Sequence, residues 1–462
     1  MKYIGPFLRM SKLNKDNVEK QLFHFSKEAL NHILLYSRCG ITSSAEELNI
    51  PNKDNTTFKS ISPLLCIYRK ATPKLLRPTC QSSWDSERIK REINVGSNAL
   101  MTLCTTNLYS YYDKLKDLDK DKQFLSSLYR SLSKKQLDFY VSHLRNDDGV
   151  FIDKKDISDK KNTSEKRKDD CKFEQKSKKF NFSDQALFMT AFYKFSLHET
   201  SDEGEQYKSF AFDILKMLNQ YQDELYNVSV EELNKICLSL NILYSDSKND
   251  SVLPLLINLA ELLSDYYINS GFDDARKSVE NICLLYINSL LTHKNTDLLK
   301  YKDLSEEIYK KLFNMYNSEH GIFIKDEDKK ELKFNSAEVV LYDLCMLLHS
   351  KLSEKSTSDD DMIIVDVFKH QIVDSGLILS WPEAPNLDNP ERYRNYSSKS
   401  EDLLDEQDFK LSSTPTPESS EYAPILGKEI VYNKRKGEFT EIKDTFESHD
   451  NMLIYFLITY LL

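Results

Sequence analysis

The chain has 462 residues, a formal net charge of -10, 40% hydrophobic and 29% charged residues, and only 10 glycines and 12 prolines. This composition describes a globular protein with long helices joined by few sharp turns. It argues against a nucleic-acid surface, which needs a concentrated basic stripe, and neither of the glycine-rich phosphate-binding patterns, GxGxxG or GxxxxGK, occurs.

The eight cysteines form no CxxC or Cys/His metal pattern, so we expect no metal, no cofactor and a reduced, cytoplasmic location. Residues 1–10 lack the apolar core of a signal peptide. The C-terminal stretch Met452–Leu462 is very apolar but has only 11 residues, fewer than the ~20 that span a bilayer. It is predicted to be a buried helix and not a membrane insertion.

Residues 1–95 are predicted to form an N-terminal helix and a cap segment packed on a main body of residues 96–462. The helix covers Asp16–Cys39, and Gly40 is a suitable residue to end it. From 41 to 91 proline and polar residues alternate with one further helical segment, Phe58–Tyr68.

From residue 97 onward two kinds of helix alternate. Helices that are apolar nearly all round are predicted to begin, each with an N-cap residue, near Ser97, Ser183, Ser229, Asp273, Ser336 and Ser448. Helices with one apolar stripe lie between them at Lys122–Leu144, Gln206–Tyr221, Val252–Tyr267, Asp297–Tyr316 and Asp359–Val373. With Asp16–Cys39 as the sixth helix of the striped kind, the count suits a closed ring of six helical hairpins.

Three turns repeat one local pattern, in which a glycine is followed by a short apolar strand, a long excursion and an inner helix. The glycines are Gly149, Gly321 and Gly376. Long links therefore run from outer to inner helices and short links run back, which predicts one elaborate face and one plain face. The two charged segments 153–179 and 396–422 belong to these excursions, and the basic run within the first, interleaved with acids, is interpreted as a solvated loop.

This alternation resembles that of the six-hairpin α/α-toroid proteins, which include glycoside hydrolases, polysaccharide lyases and sugar epimerases. The similarity covers residues 97–462 and lies in the pattern of helices and short β-hairpins. It implies an all-α, (α/α)6 toroid with short β-hairpins on one face. The zinc-dependent prenyltransferase and lanthionine-cyclase toroids do not fit, because the cysteines of the inner helices lack histidines at ligand spacing.

Toroid enzymes that act on sugars usually place acids where loops feed the inner helices. The matching positions here are Asp184, Glu338 and Asp450, and Glu383 lies in the unusual string Trp-Pro-Glu-Ala-Pro. A pair of these carboxylates could act as acid and base, or as acid and nucleophile, on a glycosidic bond. The alternative is that each acid caps its own helix, because first-turn acids stabilise unpaired N–H groups without any substrate.

Aromatic and histidine side chains on the same segments are candidates for substrate contacts. Aromatic faces stack on sugar rings, and histidines shuttle protons near neutral pH. The candidates are Trp381, Trp84, Tyr393, His320 and His449. For each, packing within the fold or a role in a turn is the alternative.

The sequence therefore indicates an intracellular carbohydrate-active protein that uses acids at the mouth of a toroid for hydrolysis, elimination or epimerisation. The competing hypothesis is a non-catalytic toroid that binds a glycan or a protein partner. Whether the chain is an enzyme stays open at this level, because the preference for an enzyme rests on analogy between folds.

Overall fold

The structure is a computed structural model. It describes residues 13–44, 46–48, 61–77, 79, 82–85, 89–118, 120–158, 171–176, 179–275, 278–352, 358–382 and 421–462. Within these residues the main elements are helices, and the strands are short.

The helices follow one another in pairs, and one short helix of 4 residues, Gln222–Leu225, lies between two of the pairs. They are α1 (Lys15–Leu35), α2 (Val95–Asp113), α3 (Lys120–His143), α4 (Phe182–Ser196), α5 (Asp202–Gln220), α6 (Gln222–Leu225), α7 (Val230–Ser247), α8 (Leu253–Ala275), α9 (Val279–Thr296), α10 (Leu299–Phe313), α11 (Ser336–Leu352), α12 (Ser358–Asp366) and α13 (Ser448–Leu461). The helix α12 continues as a π-helix over Val367–Asp374.

Six of the described helices form a closed inner ring. In order around the ring they are α2, α4, α7, α9, α11 and α13, and α13 packs on α2 to close it. Each inner helix also packs on one outer helix, which is α3, α5, α8, α10, α12 and α1 respectively. The chain is therefore an all-α, (α/α)6 toroid, and the first helix completes the last hairpin.

Burial explains why the two sets separate. Nearly every residue of α11 from Ser336 to Leu348 is buried, as a helix enclosed on all sides requires. In α10 only one stripe, through Leu304, Ile308 and Leu312, is buried, while lysine and glutamate side chains lie on the other face. The hydrophobic core fills the space between the two rings.

The strands lie in the links that run from an outer helix to the next inner helix. They are β1 (Gly40–Thr42), β2 (Leu64–Ile67), β3 (Lys70–Ala71), β4 (Glu92–Ile93), β5 (Lys154–Asp156), β6 (Phe173–Gln175), β7 (Tyr316–Asn317), β8 (Ile322–Phe323), β9 (Glu331–Asn335), β10 (Glu429–Asn433), β11 (Glu438–Lys443) and β12 (Phe446–Glu447). They form the small sheets β1-β2, β11-β10-β9, β12-β3, β4-β5-β6 and β7-β8. We call this face, with the N-terminal ends of the inner helices, the mouth.

The three repeated turns have the same backbone conformation. Gly149, Gly321 and Gly376 have φ angles of 85°, 65° and 77°, a region that side chains with a Cβ rarely adopt. The short strand predicted after Gly321 is β8, which pairs with β7. Local sequence therefore determines these turns.

A side-chain amide fastens the mouth strands to three inner helices in the same way. Gln185 of α4 donates to the carbonyl of Phe151 at 2.8 Å and accepts from its N–H at 3.0 Å. Asn98 of α2 makes the same pair of bonds with Ile67, and Asn451 of α13 makes it with Leu426. Each amide lies four residues after the N-cap of its helix, so the repeat extends to single hydrogen bonds.

Three predicted elements differ in the structure. The helix predicted over Asp16–Cys39 ends at Leu35, and Gly40 begins the strand β1. The helix predicted to begin near Asp273 begins at Val279, because α8 continues to Ala275 and Ser278 is the N-cap, accepting a hydrogen bond from Asn281. The helix predicted over Phe58–Tyr68 is wrong in its described part, where Leu64–Ile67 is the strand β2. A run of four buried apolar residues has no periodicity that separates strand from helix, and pairing with β1 decided it.

Candidate functional site

The mouth brings a carboxylate to the first turn of almost every inner helix. Asp184, Glu338 and Asp450 each lie three residues after the N-cap of α4, α11 and α13, so the sequence placed them at equivalent positions. In α7 and α9 the acids are Glu231, Glu232 and Glu280. Their partners differ, and the differences separate helix caps from candidate site residues.

Asp184, in the first turn of α4, is buried, with 6% of its surface exposed. Its Oδ2 accepts a hydrogen bond from the Asn181 side chain at 3.1 Å, and no backbone N–H among the described residues reaches it. Burial, with the negative charge of Asp153, raises the pKa of the Asp184 carboxyl to about 7. Asp184 can therefore hold a proton near neutral pH and is not the cap of its own helix.

A cavity of about 280 Å³ lies beside Asp184 and contains a second carboxylate, Asp153. The Oδ1 atom of Asp153 accepts the main-chain N–H of Val95 at 3.0 Å, and its oxygens lie 3.3 and 3.4 Å from the Asn94 amide nitrogen. The cavity is also lined by Val95, Phe151, Ile152, Lys176, Lys179, Phe180 and Asn181. Two carboxyl groups in different environments thus border one concave space.

Close approach of two inner helices shapes this cavity. A Cβ atom on Gly96, the second residue of α2, would lie 2.2 Å from Oδ1 of Asp184. Any larger residue at this position would displace the carboxyl group. Gly96 therefore allows α2 and α4 to bring Asp184 against the start of α2.

Glu338 behaves as the capping alternative predicts. Its main-chain N–H donates to Asn335 Oδ1 at 2.7 Å, and its carboxylate accepts the N–H of Asn335 at 3.1 Å, which is a capping box. Lys325 forms an ion pair with the same carboxylate at 2.7 Å. Glu232 likewise accepts the N–H of Ser183 at the start of α4. Neither acid is available for a substrate without losing these bonds.

The charge of Lys235, on α7, acts on acids of three other inner helices. They are Asp184 of α4 and Glu280 of α9, the two neighbours of α7, and Asp450 of α13, which lies across the ring. Lys235 is itself paired with Glu231 at 2.7 Å.

Burial destabilises the ionised forms of both Glu280 and Asp450. Burial, with the charge of Asp450, raises the pKa of Glu280 to about 7, and Lys235 opposes the change. Burial, with the charge of Glu447, raises the pKa of Asp450 to about 6. Neither carboxylate has a hydrogen bond or an ion pair within the part of the chain that the structure describes.

The two histidine candidates lie apart. His449, beside Asp450, has a pKa well below its usual range because of burial, with Lys235 and Arg69 nearby, so the imidazole is neutral. Its Nε2 atom is buried without a partner among the described residues. His320 packs edge-on against Tyr432 with ring centroids 5.7 Å apart, and its main-chain N–H donates to Asn317. This places His320 in the turn before β8.

The tryptophan expectation requires a correction for Trp84. This side chain is 1% exposed, donates Nε1–H to His32 Nε2 at 2.7 Å and meets Phe446 edge to face, so neither indole face is open to a sugar ring. Trp381 is partly exposed and packs against Phe25 and Phe368. Glu383 and Tyr393 lie outside the described residues.

Sequence reasoning missed three residues of the site, Glu280, Lys235 and Asp153. A signal for Glu280 exists, because serine precedes an acid by two positions in Ser229-Val-Glu231, Ser278-Val-Glu280, Ser336-Ala-Glu338 and Ser448-His-Asp450. Placing the start of α9 at Asp273 hid this pattern. Asp153 belongs to a loop, and Lys235 lies one turn inside a helix, so neither carries a local signal.

The described residues contain neither a cluster of metal ligands nor a membrane-spanning helix. No group of three or more His, Cys, Asp or Glu side chains there could hold a metal ion. No described helix is long and apolar enough to cross a membrane.

Comparison with known proteins gives a likeness in structure and none in sequence. No protein-family model matches the chain, and no curated protein matches it. Among solved structures, it is similar to cellobiose 2-epimerase from Bacillus thermoamylovorans, with a TM-score of 0.51 and 8% identity over 85% of this chain and 93% of that one. It also matches an alpha-mannanase of family GH76 from Bacteroides thetaiotaomicron, with a TM-score of 0.44 and 10% identity over 95% and 94% of the two chains. The likeness to the epimerase shows that this chain has the fold of the six-hairpin α/α toroids.

Proposed function

We propose that the protein is a carbohydrate-active enzyme that hydrolyses a glycosidic bond at the mouth of the toroid. The observation that carries this proposal is the pair of carboxyl groups, Asp184 and Asp153, on one cavity. Hydrolysis of a glycoside needs one carboxyl that donates a proton and one that is ionised. Environments that differ in burial and hydrogen bonding assign these roles.

In this proposal Asp184 is the general acid. Its burial keeps the proton on the carboxyl near neutral pH, and the proton passes to the glycosidic oxygen as the bond to the leaving sugar breaks. Asp153 is the second carboxylate, held in place by the N–H of Val95. It acts as the base that activates water or as the nucleophile. Val95, Phe151 and Ile152 supply the apolar part of the cavity lining.

Elimination and epimerisation are less well supported by the same groups. Both reactions remove a proton from carbon, for which a neutral histidine is the better base, and His449 lies outside the residues that line this cavity. The fold likeness to a sugar epimerase keeps carbohydrate as the expected substrate class. The cytoplasmic location also remains part of the proposal.

The test is turnover of an oligosaccharide panel by the full chain and by Asp184→Asn. The variant keeps the shape of the side chain and cannot donate a proton, so we expect at least a ~100-fold loss of kcat without a lower melting temperature. Asp202→Asn is the matched control, since Asp202 is an exposed acid in the first turn of the outer helix α5. It should leave turnover unchanged.

Two outcomes would contradict the proposal. Equal turnover by Asp184→Asn and the unmodified chain would remove Asp184 from the mechanism. Tight binding of a glycan with no turnover, unaffected by Asp184→Asn, would favour the non-catalytic binding module. That second result would fit the capping roles of Glu338 and Glu232.

A further inference from the structure

The mouth carries two groups of ions in which cations outnumber carboxylates. In the first group, Oε2 of Glu92 on β4 lies 2.8 Å from Nζ of Lys176 and 3.6 Å from the guanidinium of Arg69. The hydrogen bond and the charge of Lys176, with the charges of Arg69 and Lys90, hold the pKa of Glu92 below its usual value, so this carboxylate is ionised. One carboxylate balances one of the two cations that contact it, and the group keeps a positive charge.

The second group repeats this arrangement on a neighbouring strand. Oε1 of Glu447 on β12 lies 2.5 Å from Nζ of Lys70 and 2.9 Å from Nζ of Lys428, so two ammonium groups again share one oxygen atom. Lys70 is also directly opposite Lys90 in a β-bridge, a position in which like charges repel each other. This group therefore keeps a positive charge as well.

The four shared cations lie together beside the cavity of Asp184. We call them the basic mouth cluster, and they are Arg69, Lys70, Lys176 and Lys428. Strand β3 pairs with β12, and the N–H of Arg69 donates to the carbonyl of Glu92 at 2.7 Å, which brings the two groups onto adjacent strands. Lys176 also lines the cavity, as does Lys179. Between 25% and 48% of each cationic side chain is exposed, so a ligand can reach the cluster.

This local excess of positive charge points to an anionic ligand. The chain as a whole has a net charge of -10, so a concentration of cations is not the average property of its surface. No further carboxylate pairs with the basic mouth cluster in the described part of the chain. Asp153, on the same cavity, is held by the N–H of Val95 at 3.0 Å and contacts none of the four cations.

We propose that the basic mouth cluster binds a phosphate monoester group of the substrate. The inference rests on the proposed function in taking a saccharide as the ligand, and it specifies the substrate class as a phosphorylated sugar. A phosphate monoester carries a charge of about -1.5 to -2 at pH 7 and three acceptor oxygens. It matches the charge that the two groups leave over, and guanidinium and ammonium groups are its usual donors. A carboxylate or a sulfate ester carries a single charge, and a neutral sugar carries none.

The sharing of oxygen atoms allows variants that test binding without removing an ion pair from the fold. Replacing Lys176 leaves Glu92 in contact with Arg69, and replacing Lys428 leaves Glu447 in contact with Lys70. Exposed ion pairs also contribute little to stability. Lys176→Gln and Lys428→Gln should therefore fold as the unmodified chain does, which circular dichroism checks, and each removes one cation from the proposed site.

The experiment is titration calorimetry of the full chain with glucose 6-phosphate, glucose 6-sulfate, glucuronate, glucose and inorganic phosphate. We expect glucose 6-phosphate to bind at least about tenfold more tightly than each of the others, because a charge-assisted hydrogen bond contributes roughly that factor. Added salt should weaken this binding, since it screens exposed charges. Lys176→Gln and Lys428→Gln should each weaken it about tenfold, as the loss of one charged hydrogen bond predicts.

Lys351→Gln is the matched control for the change in net charge. Lys351 is exposed and pairs with Glu19 at 2.9 Å, at the C-terminal end of α11 and thus away from the mouth. Its replacement removes the same charge as each test variant and should leave the affinity for glucose 6-phosphate unchanged. An equal loss in all three variants would mean that only the overall charge of the protein attracts the anion, and it would overturn the site.

The remaining outcomes separate this inference from the proposed function. Equal affinity for glucose 6-phosphate and glucose, or no weakening in the folded test variants, overturns the phosphate site even if Asp184-dependent turnover is found. Equal affinity for inorganic phosphate, glucose 6-sulfate or glucuronate overturns the assignment to a phosphorylated sugar. Preference for glucose 6-phosphate with the expected variant effects supports the site, and it does so even if no oligosaccharide is turned over and the hydrolase proposal fails.

Discussion

At the scale of single residues, burial decides which acids of the mouth are candidates for chemistry. Asp184 and Glu338 hold the same position relative to their N-caps, yet Glu338 is tied to Asn335 and Lys325 while Asp184 faces a cavity. A carboxylate that caps a helix is ionised and stabilising. One that is desolvated without a cation costs stability and gains reactivity. The difference lies entirely in the neighbours.

Lys235 offers a test of this electrostatic account. Its charge lowers the pKa of Asp184, Glu280 and Asp450, although burial outweighs it. Removing the charge by Lys235→Gln should therefore raise the pKa of Asp184 further. If Asp184 donates the proton, kcat/KM falls as pH rises through its pKa, and this alkaline limb should move upward by at least ~0.5 pH unit in the variant. The measurement is the pH profile of turnover.

A control separates this effect from general damage to the fold. Lys134→Gln removes a lysine from an outer helix, where it pairs with Glu203, and should leave the limb in place. A lower rate at every pH without displacement of the limb in Lys235→Gln would mean that Lys235 is only structural.

Asp343 provides a second prediction at this scale, on stability. It is fully buried in α11, both carboxylate oxygens lack a partner among the described residues, and burial raises its pKa well above the usual range. A raised folded pKa means that stability is present below the unfolded pKa of ~3.9 and is lost as pH rises above it. Asp343→Leu should therefore stabilise the protein at pH 8 by ~1 kcal/mol or more, and by less at pH 4.

The measurement is denaturant unfolding at the two pH values. A variant that is destabilised equally at both would show that Asp343 has an unrecognised partner or that leucine does not fit the site.

At the scale of elements, the repeated amide is the feature that connects fold and site. Gln185 makes two hydrogen bonds with Phe151, two residues before Asp153. Gln185→Ala would leave a buried N–H and a buried carbonyl unpaired, and we expect a loss of ~2–4 kcal/mol in the free energy of unfolding. Turnover should fall too, because the segment that carries Asp153 loses its attachment to α4.

Asn219→Ala is the comparison for this prediction. The Asn219 amide bonds only the carbonyl of Leu215 on the partly exposed side of α5, so the change should cost less than ~1 kcal/mol. Equal losses for the two variants in chemical denaturation would mean that the repeated amide has no special role.

At the scale of the whole molecule, closure joins the two ends of the chain. The first helix, α1, packs on the last, α13, and α13 packs on α2. A closed ring should unfold as one cooperative unit. Leu30→Ala, at a fully buried position of α1, should then lower the free energy of unfolding by ~2–5 kcal/mol. Calorimetry should show one transition, displaced as a whole to a lower temperature.

The control is Leu299→Ala, at a position of α10 that is 69% exposed, which should have little effect. Two separate transitions in Leu30→Ala, with only the smaller one displaced, would show instead that residues 1–95 form an independent cap segment.

Much of the architecture is present in the sequence by itself. The alternation of all-round apolar helices with one-sided helices specifies an inner and an outer ring, because a helix enclosed on all sides must be apolar on all sides. The starts of five inner helices, the three glycine turns and the equivalent positions of Asp184, Glu338 and Asp450 follow from local signals. N-cap residues and positive φ angles depend on neighbours within a few positions in the chain.

What only the tertiary structure decided concerns residues that are distant in sequence. Whether a first-turn acid caps, pairs or faces a cavity depends on side chains outside its own helix, such as Lys325 for Glu338 and Asp153 for Asp184. The strand at Leu64–Ile67 required its partner β1, and Trp84 became core through His32 and Phe446. The charge of Lys235 acts on acids of three other inner helices only because the ring brings these helices together. Desolvation and Coulomb interactions act through space, so no window of sequence contains them.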